Sequence, residues 1–343
     1  MKNSIQNIEK LGFPWATEDP FLFTAHHLDA YPSGNVQAGL DQTHKQGRNI
    51  GSDFELRDGF RMYHGSDVPG FPYHPHRGFE TISITTKGLI DHTDSLGASG
   101  RYGEGDVQWM TAGKGVQHSE MFPMVNQEGG NELEMFQVWL NLPAKNKMVD
   151  PDFKMLWAHE IPVVEEADHE GAMARIKVIA GPYKSYKGVR TTDNSWGADP
   201  ENGVTIYTID LEAGAEWSLE ASEIAGVTRN FYFYEGENLT VDQTLVDSYS
   251  KIKVDADKST HFKAGPSGAR ILMLQGKPIG EPVVKYGPFV MNSQREIMQT
   301  FDDYNKTQFG GWPWPEKEQT HGIEKGRFAQ FVNGDVEHPS ENE

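Results

Sequence analysis

Two neighbouring stretches of the sequence decide the fold: GFPYHPHRGFETISITTKG from Gly70 to Gly88, and HTDSLGASGRYGEGDVQWMTAGKGVQHSE from His92 to Glu120. In both, short runs of β-branched and aromatic residues lie between glycines, prolines and aspartates. Further runs of this kind follow, namely EMFQVWLNL, ARIKVIAG, VTIYTIDLEAG, RNFYFYEG, SKIKVD and ARILMLQG. Such runs predict short strands joined by turns, which is typical of an all-β sandwich or barrel.

The strand pattern stops between Pro143 and His169, so we interpret this segment as a connection between two β domains. A chain of 343 residues is long enough for both. After the second domain, Ser293 and Glu296 fit a capping box. Ile297, Met298, Phe301 and Tyr304 then recur at helical spacing, which predicts one short helix. Trp312 and Trp314 follow, and we expect them to dock on the body of the protein or on a neighbouring subunit.

The histidines of the two opening stretches carry the chemistry. His74 and His76 are two residues apart, so on a strand both imidazoles point to one face, and Pro75 places the pair at a strand start or an edge. His118 and Glu120 form a second pair of the same spacing. If both strands line one barrel, three imidazoles and a carboxylate converge. This donor set suits iron(II), Mn, Co, Ni, Cu(II) or Zn, and it leaves coordination positions open for water, O2 or a substrate oxygen.

Other residues compete for the same roles. Glu80 follows His76 by four residues, so we expect it on the same strand face, either as a ligand, or orienting a ligand, or paired with Arg77. His26, His27, His64 and His92 are near enough in sequence to compete, although solvated or hydrogen-bonded loop positions are the ordinary alternative. His159, His169, His261, His321 and His338 belong to no such pair. Around the site we expect an apolar set of barrel-core or pocket residues: Phe79, Trp109, Met110, Phe136 and Trp139.

Composition excludes several classes of function. Lys and Arg number 31 against 50 Asp and Glu, a formal charge of −19, which argues against direct nucleic-acid binding and against anionic membranes. The absence of cysteine removes thiolate nucleophiles, iron–sulfur clusters and Cys-type zinc sites. No apolar run is long enough to span a bilayer, and the first twenty residues lack the apolar core of a secretory signal. We therefore expect a soluble, cytoplasmic protein.

With these residues in view, the sequence resembles the pirin family of the cupin superfamily. The shared stretches are HPHRGFET, DSLG, GDVQWMTAGKGVQHSEM, VWLNLP, GEPVVKYGPFVMN and DYNKTQFG. The resemblance implies two cupin (jelly-roll) barrels: a metal-binding domain at 1–155 and a metal-free domain at 165–310, followed by an extension at 311–343. It implies that His74, His76, His118 and Glu120 bind one divalent transition metal, with iron(II) as the first expectation. The general cupin pattern would instead take its carboxylate from Glu80. Residues 1–50 are long for the family.

The resemblance implies two classes of function. One is quercetin 2,3-dioxygenase, in which Glu120 would take the proton of the flavonol 3-hydroxyl while O2 adds and carbon monoxide leaves. Its partners would be a small aromatic substrate and O2. The other is a non-catalytic regulator that depends on the metal's oxidation state and, given the acidity of the chain, acts through a protein partner rather than on DNA. A cupin isomerase or sugar-binding protein is the third interpretation.

Overall fold

The computed structural model describes residues 3–340, and strands make up most of its regular structure. In the first half of the chain they are β1 (Ile5–Lys10), β2 (Phe21–Tyr31), β3 (Gly70–His76), β4 (Phe79–Lys87), β5 (Leu89–Asp94), β6 (Ser99–Gly103), β7 (Val107–Thr111), β8 (Val116–Met121), β9 (Asn131–Asn141), β10 (Asp152–Leu156) and β11 (Val163–Ala167). In the second half they are β12 (Met173–Ala180), β13 (Pro182–Tyr183), β14 (Tyr186–Lys187), β15 (Thr205–Leu211), β16 (Glu216–Leu219), β17 (Thr228–Gly236), β18 (Asn238–Val241), β19 (Thr244–Asp247), β20 (Ser250–Val254), β21 (Thr260–Ala264), β22 (Ala269–Gly276), β23 (Val284–Tyr286), β24 (Phe289–Met291), β25 (Phe328–Gln330) and β26 (Val336–Glu337). The α-helices are α1 (Gln42–Lys45) and α2 (Gln294–Thr307), and short 3-10 helices span Ala144–Asn146, Ala158–Glu160, Trp196–Ala198, Pro200–Asn202 and Gln308–Gly310.

The chain divides into two compact β units, and each combines an N-terminal with a C-terminal segment. Residues 25–159 and 281–340 form one, which we call the histidine unit; residues 3–24 and 160–280 form the second unit. The expected domains, 1–155 and 165–310, are continuous stretches, so the observed units differ from them at both ends. The physical reason is strand pairing: β1 pairs with β20, while β25 pairs with β6. The all-β class itself, with two β units and a C-terminal helix, is confirmed.

The histidine unit is built mainly from two large sheets, with β23 and β24 forming a third, two-stranded sheet. The five-stranded sheet has the order β10-β7-β4-β9-β2, and the six-stranded sheet has the order β26-β25-β6-β5-β8-β3. Their inner faces enclose a core of aromatic and sulfur-containing side chains that includes Tyr63, Tyr102, Met110, Met135 and Phe153. Strand β3 lies at an edge of its sheet, as Pro75 predicts, because proline has no N–H to donate to a further strand.

The second unit repeats this plan with its own core. A seven-stranded sheet in the order β1-β20-β17-β22-β15-β12-β11 and a four-stranded sheet in the order β16-β21-β18-β19 enclose Trp217, Phe231, Phe233, Phe262 and Met273. His261 lies on β21, opposite Ser218 of β16, and its Nδ1 is 2.6 Å from Ser218 Oγ.

The predicted helix is confirmed as α2, and Ser293 caps its N-terminus. Ser293 Oγ accepts a hydrogen bond of 3.3 Å from the N–H of Glu296, whose Oε2 accepts one of 2.9 Å from Ser293 Oγ. Ile297 is buried and Phe301 and Tyr304 pack beside it, whereas Met298 is 57% exposed. Met298 follows Ile297 by one residue, about 100° of rotation, and so points away from the packed face.

The C-terminal segment docks on the histidine unit. Trp314 Nε1 donates a hydrogen bond of 2.7 Å to the carbonyl of Asp94, and the Trp312 ring stacks on Tyr73 at 5.1 Å between centroids. Both tryptophans therefore contact the body of the protein, as expected from the sequence.

Candidate metal centre

Three imidazoles converge on the inner side of the six-stranded sheet. His74 and His76 come from β3 and His118 from β8, and the antiparallel register places His74 opposite His118. Ring centroids are 4.5 Å apart for His74 and His118, 4.7 Å for His74 and His76, and 4.9 Å for His76 and His118. One nitrogen from each ring lies within 4.8 Å of the others, and this is the one such group of three among residues 3–340.

The ring nitrogens of this cluster fit a metal ion. His74 Nδ1 is 2.9 Å from the carbonyl of Pro72, a contact in which Nδ1 carries the proton and leaves the Nε2 lone pair free. Nδ1 of His76 and both ring nitrogens of His118 have no hydrogen-bond partner within residues 3–340, although these atoms are buried. Buried polar atoms without partners are costly, and coordination to a metal would satisfy one nitrogen of each ring.

The charge state of the cluster also fits a metal. Burial lowers the pKa of His74 to about 4. Burial, reinforced by the neighbouring imidazoles, lowers the pKa values of His76 and His118 well below the ordinary value. All three rings are therefore neutral near pH 7, which is the form that binds metal ions.

Glu120 lies beside the cluster but has other partners. Its Oε2 is 3.8 Å from His118 Nε2 and accepts a hydrogen bond of 2.7 Å from Gln137 Nε2. Its Oε1 accepts one of 2.8 Å from Ser83 Oγ, and Tyr102 OH lies 3.5 Å away. Burial raises the pKa of Glu120, although these hydrogen bonds and the nearby His92 oppose the shift. The carboxylate is thus held in place and made more basic than usual.

Glu80 does not share a strand face with His76, so that expectation is wrong. A turn at Arg77 and Gly78 separates β3 from β4, and Gly78 has φ +85° and no room for a side chain beside the carbonyl of Val290. Glu80 and Ser83 are three residues apart on β4 and point to opposite faces, and Ser83 faces Glu120. The Glu80 carboxylate instead accepts hydrogen bonds from Trp109 Nε1 (3.0 Å) and Thr111 Oγ1 (2.8 Å).

Arg77, the proposed partner of Glu80, is engaged elsewhere. Its Nη1 lies 2.7 Å from Oδ2 of Asp303 on α2, and its Nε donates to the carbonyl of Lys114.

His92 is a buried neighbour of the cluster that the sequence pattern does not single out. His92 lies on β5, opposite Glu120, rather than in a loop. Its side chain is fully buried, and its ring centroid is 5.5 Å from that of His118. Neither ring nitrogen has a hydrogen-bond partner in the described part of the chain, and the closest acidic atom is Asp94 Oδ2 at 3.7 Å. The alternation of Ile90, His92 and Asp94 is the signal that would have placed His92 on an inner strand face.

The other histidines lie outside the cluster, either in contact with other groups or exposed. His26 and His27 lie on β2 rather than in a loop; His26 Nε2 is 3.2 Å from Glu134, and His27 Nδ1 is 2.8 Å from Tyr63 OH. His64 Nδ1 contacts the carbonyl of Gly51. The Nε2 of His321 lies 3.1 Å from the carbonyl of His92, and exposed positions are taken by His159, His169 and His338.

The five apolar residues expected around the site separate into groups. Phe79 and Trp139 flank His76, at 5.0 and 5.3 Å between ring centroids. Trp109 instead binds Glu80, and Phe136 stacks on His26. Met110 is part of the core near Phe153. Phe79 and Trp139 therefore form the apolar wall of the metal site.

Residues 16–140 match the family model described as Pirin, and residues 206–310 match the one described as Pirin C-terminal cupin domain. Pirin-1 of Arabidopsis thaliana is 38% identical over 70% of this chain and 78% of its own. A Caulobacter vibrioides pirin-like protein is 35% identical over 75% and 87%. A solved structure of quercetin 2,3-dioxygenase from Acinetobacter baumannii aligns with a TM-score of 0.70 and 28% identity, covering 91% of this chain and 99% of the other. In residues 3–340 no helix is long and apolar enough to cross a membrane.

Proposed function

The chain belongs to the pirin family, and from its histidine cluster we propose that it is a metal-dependent dioxygenase acting on flavonol-like, quercetin-type substrates. The observation that carries the proposal is the convergence of three neutral imidazoles, each with one ring nitrogen within 4.8 Å of the others. The reaction class is supported by the likeness to the Acinetobacter baumannii quercetin 2,3-dioxygenase.

His74, His76 and His118 would hold one divalent transition metal, with Glu120 as the proposed fourth ligand. Iron(II) is the first metal to test, and Mn, Co, Ni, Cu and Zn are the alternatives that the donor set allows. When bound, the metal supplies Lewis acidity and open positions for O2 and a substrate oxygen.

In this proposal Glu120 also acts as the general base. Burial raises its pKa, so its carboxylate is a better acceptor for the 3-hydroxyl proton of a flavonol than an exposed glutamate would be. Ser83 and Gln137 fix the two carboxylate oxygens through hydrogen bonds of 2.8 and 2.7 Å. The base therefore meets the substrate proton in one orientation.

Phe79 and Trp139 would receive the substrate rings. Their centroids are 4.0 Å apart, and both lie against His76. Flat apolar surfaces exclude water from the reacting groups and favour an aromatic substrate.

The test begins with protein purified without added metal. Elemental analysis gives the native metal and its amount, and reconstitution with each candidate metal is followed by measurement of O2 uptake and carbon monoxide release with quercetin. We expect about one metal per chain and coupled O2 uptake, both lost in His118→Ala and both kept in His159→Ala, a matched change at an exposed histidine. If the metal-loaded wild type consumes no O2 with any flavonol or catechol, a metal-dependent regulator acting through a protein partner becomes the better interpretation.

A further inference from the structure

A cleft of about 380 Å³ lies where the C-terminal segment meets the barrel of the histidine unit. We call it the tail cleft. Its apolar walls are the side chains of Leu96, Met110, Val116, Phe153, Phe331 and Val332. The volume falls in the range of small-molecule sites in proteins, which are mostly apolar with a few placed polar groups.

The two aromatic walls come from distant parts of the chain. Phe153 on β10 and Phe331, just after β25, stack at 5.0 Å between centroids and 16° between planes. The position of Phe331 is fixed because β25 pairs with β6 and because its N–H donates to the carbonyl of Asp335. The tail cleft therefore has a rigid aromatic side that a planar ring can contact.

The polar groups of the tail cleft are Asp94, Asp152 and Asn333, and within residues 3–340 no Lys, Arg or His lines it. Asp94 is 3% exposed, and its Oδ1 accepts hydrogen bonds from the N–H groups of Leu96 and Ala98. Its Oδ2 lies 3.7 Å from His92 Nε2, too far for a hydrogen bond. Oδ2 accepts no hydrogen bond from the described residues and can therefore accept one from a ligand, and the negative charge of Asp94 disfavours an anionic ligand.

We propose that the tail cleft binds a small phenol-type ring, whose hydroxyl donates to Asp94 and whose face packs against the Phe153–Phe331 side. This site is separate from the proposed dioxygenase function, because none of its lining residues is a proposed metal ligand.

The test uses the metal-free full-length protein, so its result does not depend on turnover. The probe is 4-methylphenol, with 4-methylbenzoate as the anionic comparison, and binding is followed by NMR of protein labelled with ¹³C at the methionine methyl groups. Met110 lines the tail cleft, and its signal is assigned by Met110→Leu. We expect a dissociation constant on the order of 1 mM for 4-methylphenol, reasonable for eight non-hydrogen atoms, with a shift of the Met110 signal and at least tenfold weaker binding of 4-methylbenzoate.

Three substitutions, one of them a control, locate the site. Val332→Trp fills the tail cleft from its exposed rim and should weaken binding of 4-methylphenol at least tenfold, while Val336→Trp, at a similarly exposed valine of the same segment, should leave it unchanged. Asp94→Asn keeps the oxygen that caps the turn and should reduce the preference for 4-methylphenol over toluene. The proposal is overturned if 4-methylphenol does not shift the Met110 signal, if Val332→Trp binds as tightly as the wild type, or if 4-methylbenzoate binds as tightly as 4-methylphenol.

Discussion

Oε2 of Glu120 lies 3.8 Å from Nε2 of His118. This distance is too long for a hydrogen bond, and the same oxygen accepts one from Gln137. The carboxylate therefore stands next to the three imidazoles while its orientation is set by groups on the five-stranded sheet. Binding of the metal and acceptance of a proton, the two roles that we propose for Glu120, can for this reason be separated by substitutions.

His118→Ala should abolish stoichiometric metal binding and leave a folded β protein. The substitution removes one of three converging imidazoles, and the two that remain cannot complete the group. The measurement is elemental analysis together with circular dichroism. Full metal occupancy in this variant would place the site elsewhere in the chain.

Glu120→Gln should lower metal content modestly and turnover by roughly 10² to 10⁴, the usual loss when a general base is removed. Glutamine keeps the size and one oxygen donor but has almost no basicity. Glu80→Gln is the matched control: it faces Trp109 and Thr111, so it should cost less in turnover at equal metal loading. A larger loss for Glu80→Gln, measured as kcat on metal-loaded protein, would reverse the assignment of the base.

The free energy of unfolding of the metal-free protein should fall as the pH drops from about 6.5. Burial, aided by His26 and Arg61, lowers the pKa of His27 to about 3, so between pH 6.5 and 3 the unfolded chain binds a proton at this residue that the native state does not. Stability from His27 is therefore present above its unfolded pKa and is lost toward acid, at about 1.4 kcal/mol per pH unit.

His27→Gln tests this assignment, because glutamine can still donate to Tyr63 OH but does not titrate. Urea unfolding at several pH values should give a slope smaller by about 1.4 kcal/mol per pH unit in the variant. Equal slopes for the two proteins would show that His27 is protonated in the native state.

Asp91→Asn should destabilise the protein by about 3 kcal/mol, because it leaves the fully buried guanidinium of Arg101 without its counter-charge. Arg101 binds both carboxylate oxygens, at 2.6 and 2.7 Å, and the N–H of His321 donates to one of them. Glu165→Gln, in the exposed pair with Arg175, is the comparison and should cost less than about 1 kcal/mol. The measurement is the free energy of unfolding in a chemical denaturant. Equal decreases for the two variants would contradict a larger contribution from the buried pair.

Local sequence patterns predict much of the fold and the two residue pairs of the candidate site. Two-residue spacing places His74 with His76 and His118 with Glu120 on one face each, because a strand has a period of two. The capping box at Ser293 likewise marks the start of α2. These are properties of neighbouring residues, so they can be read along the chain.

Other features depend on which strands pair, and local patterns do not specify this. His92 reaches Glu120 because β5 pairs with β8, and Gln137 reaches it from β9, in the other sheet. The pairings of β1 with β20 and of β25 with β6 join segments more than 200 residues apart. The expectation for Glu80 is wrong for a local reason: it assumes one strand from His76 to Glu80, whereas a turn at Arg77 and Gly78 separates β3 from β4.

The interleaving of the two units sets an order of completion during synthesis. His74, His76 and His118 leave the ribosome early, but their unit lacks α2 and β25 until residues beyond 280 have been made. The second unit has all its strands once residue 280 has emerged. Synthesis of residues 160–340 takes roughly 10 to 40 s at about 5–20 residues per second. The unit that contains the three histidines is therefore completed last, although these histidines are translated first, and until then β6 lacks its pairing with β25.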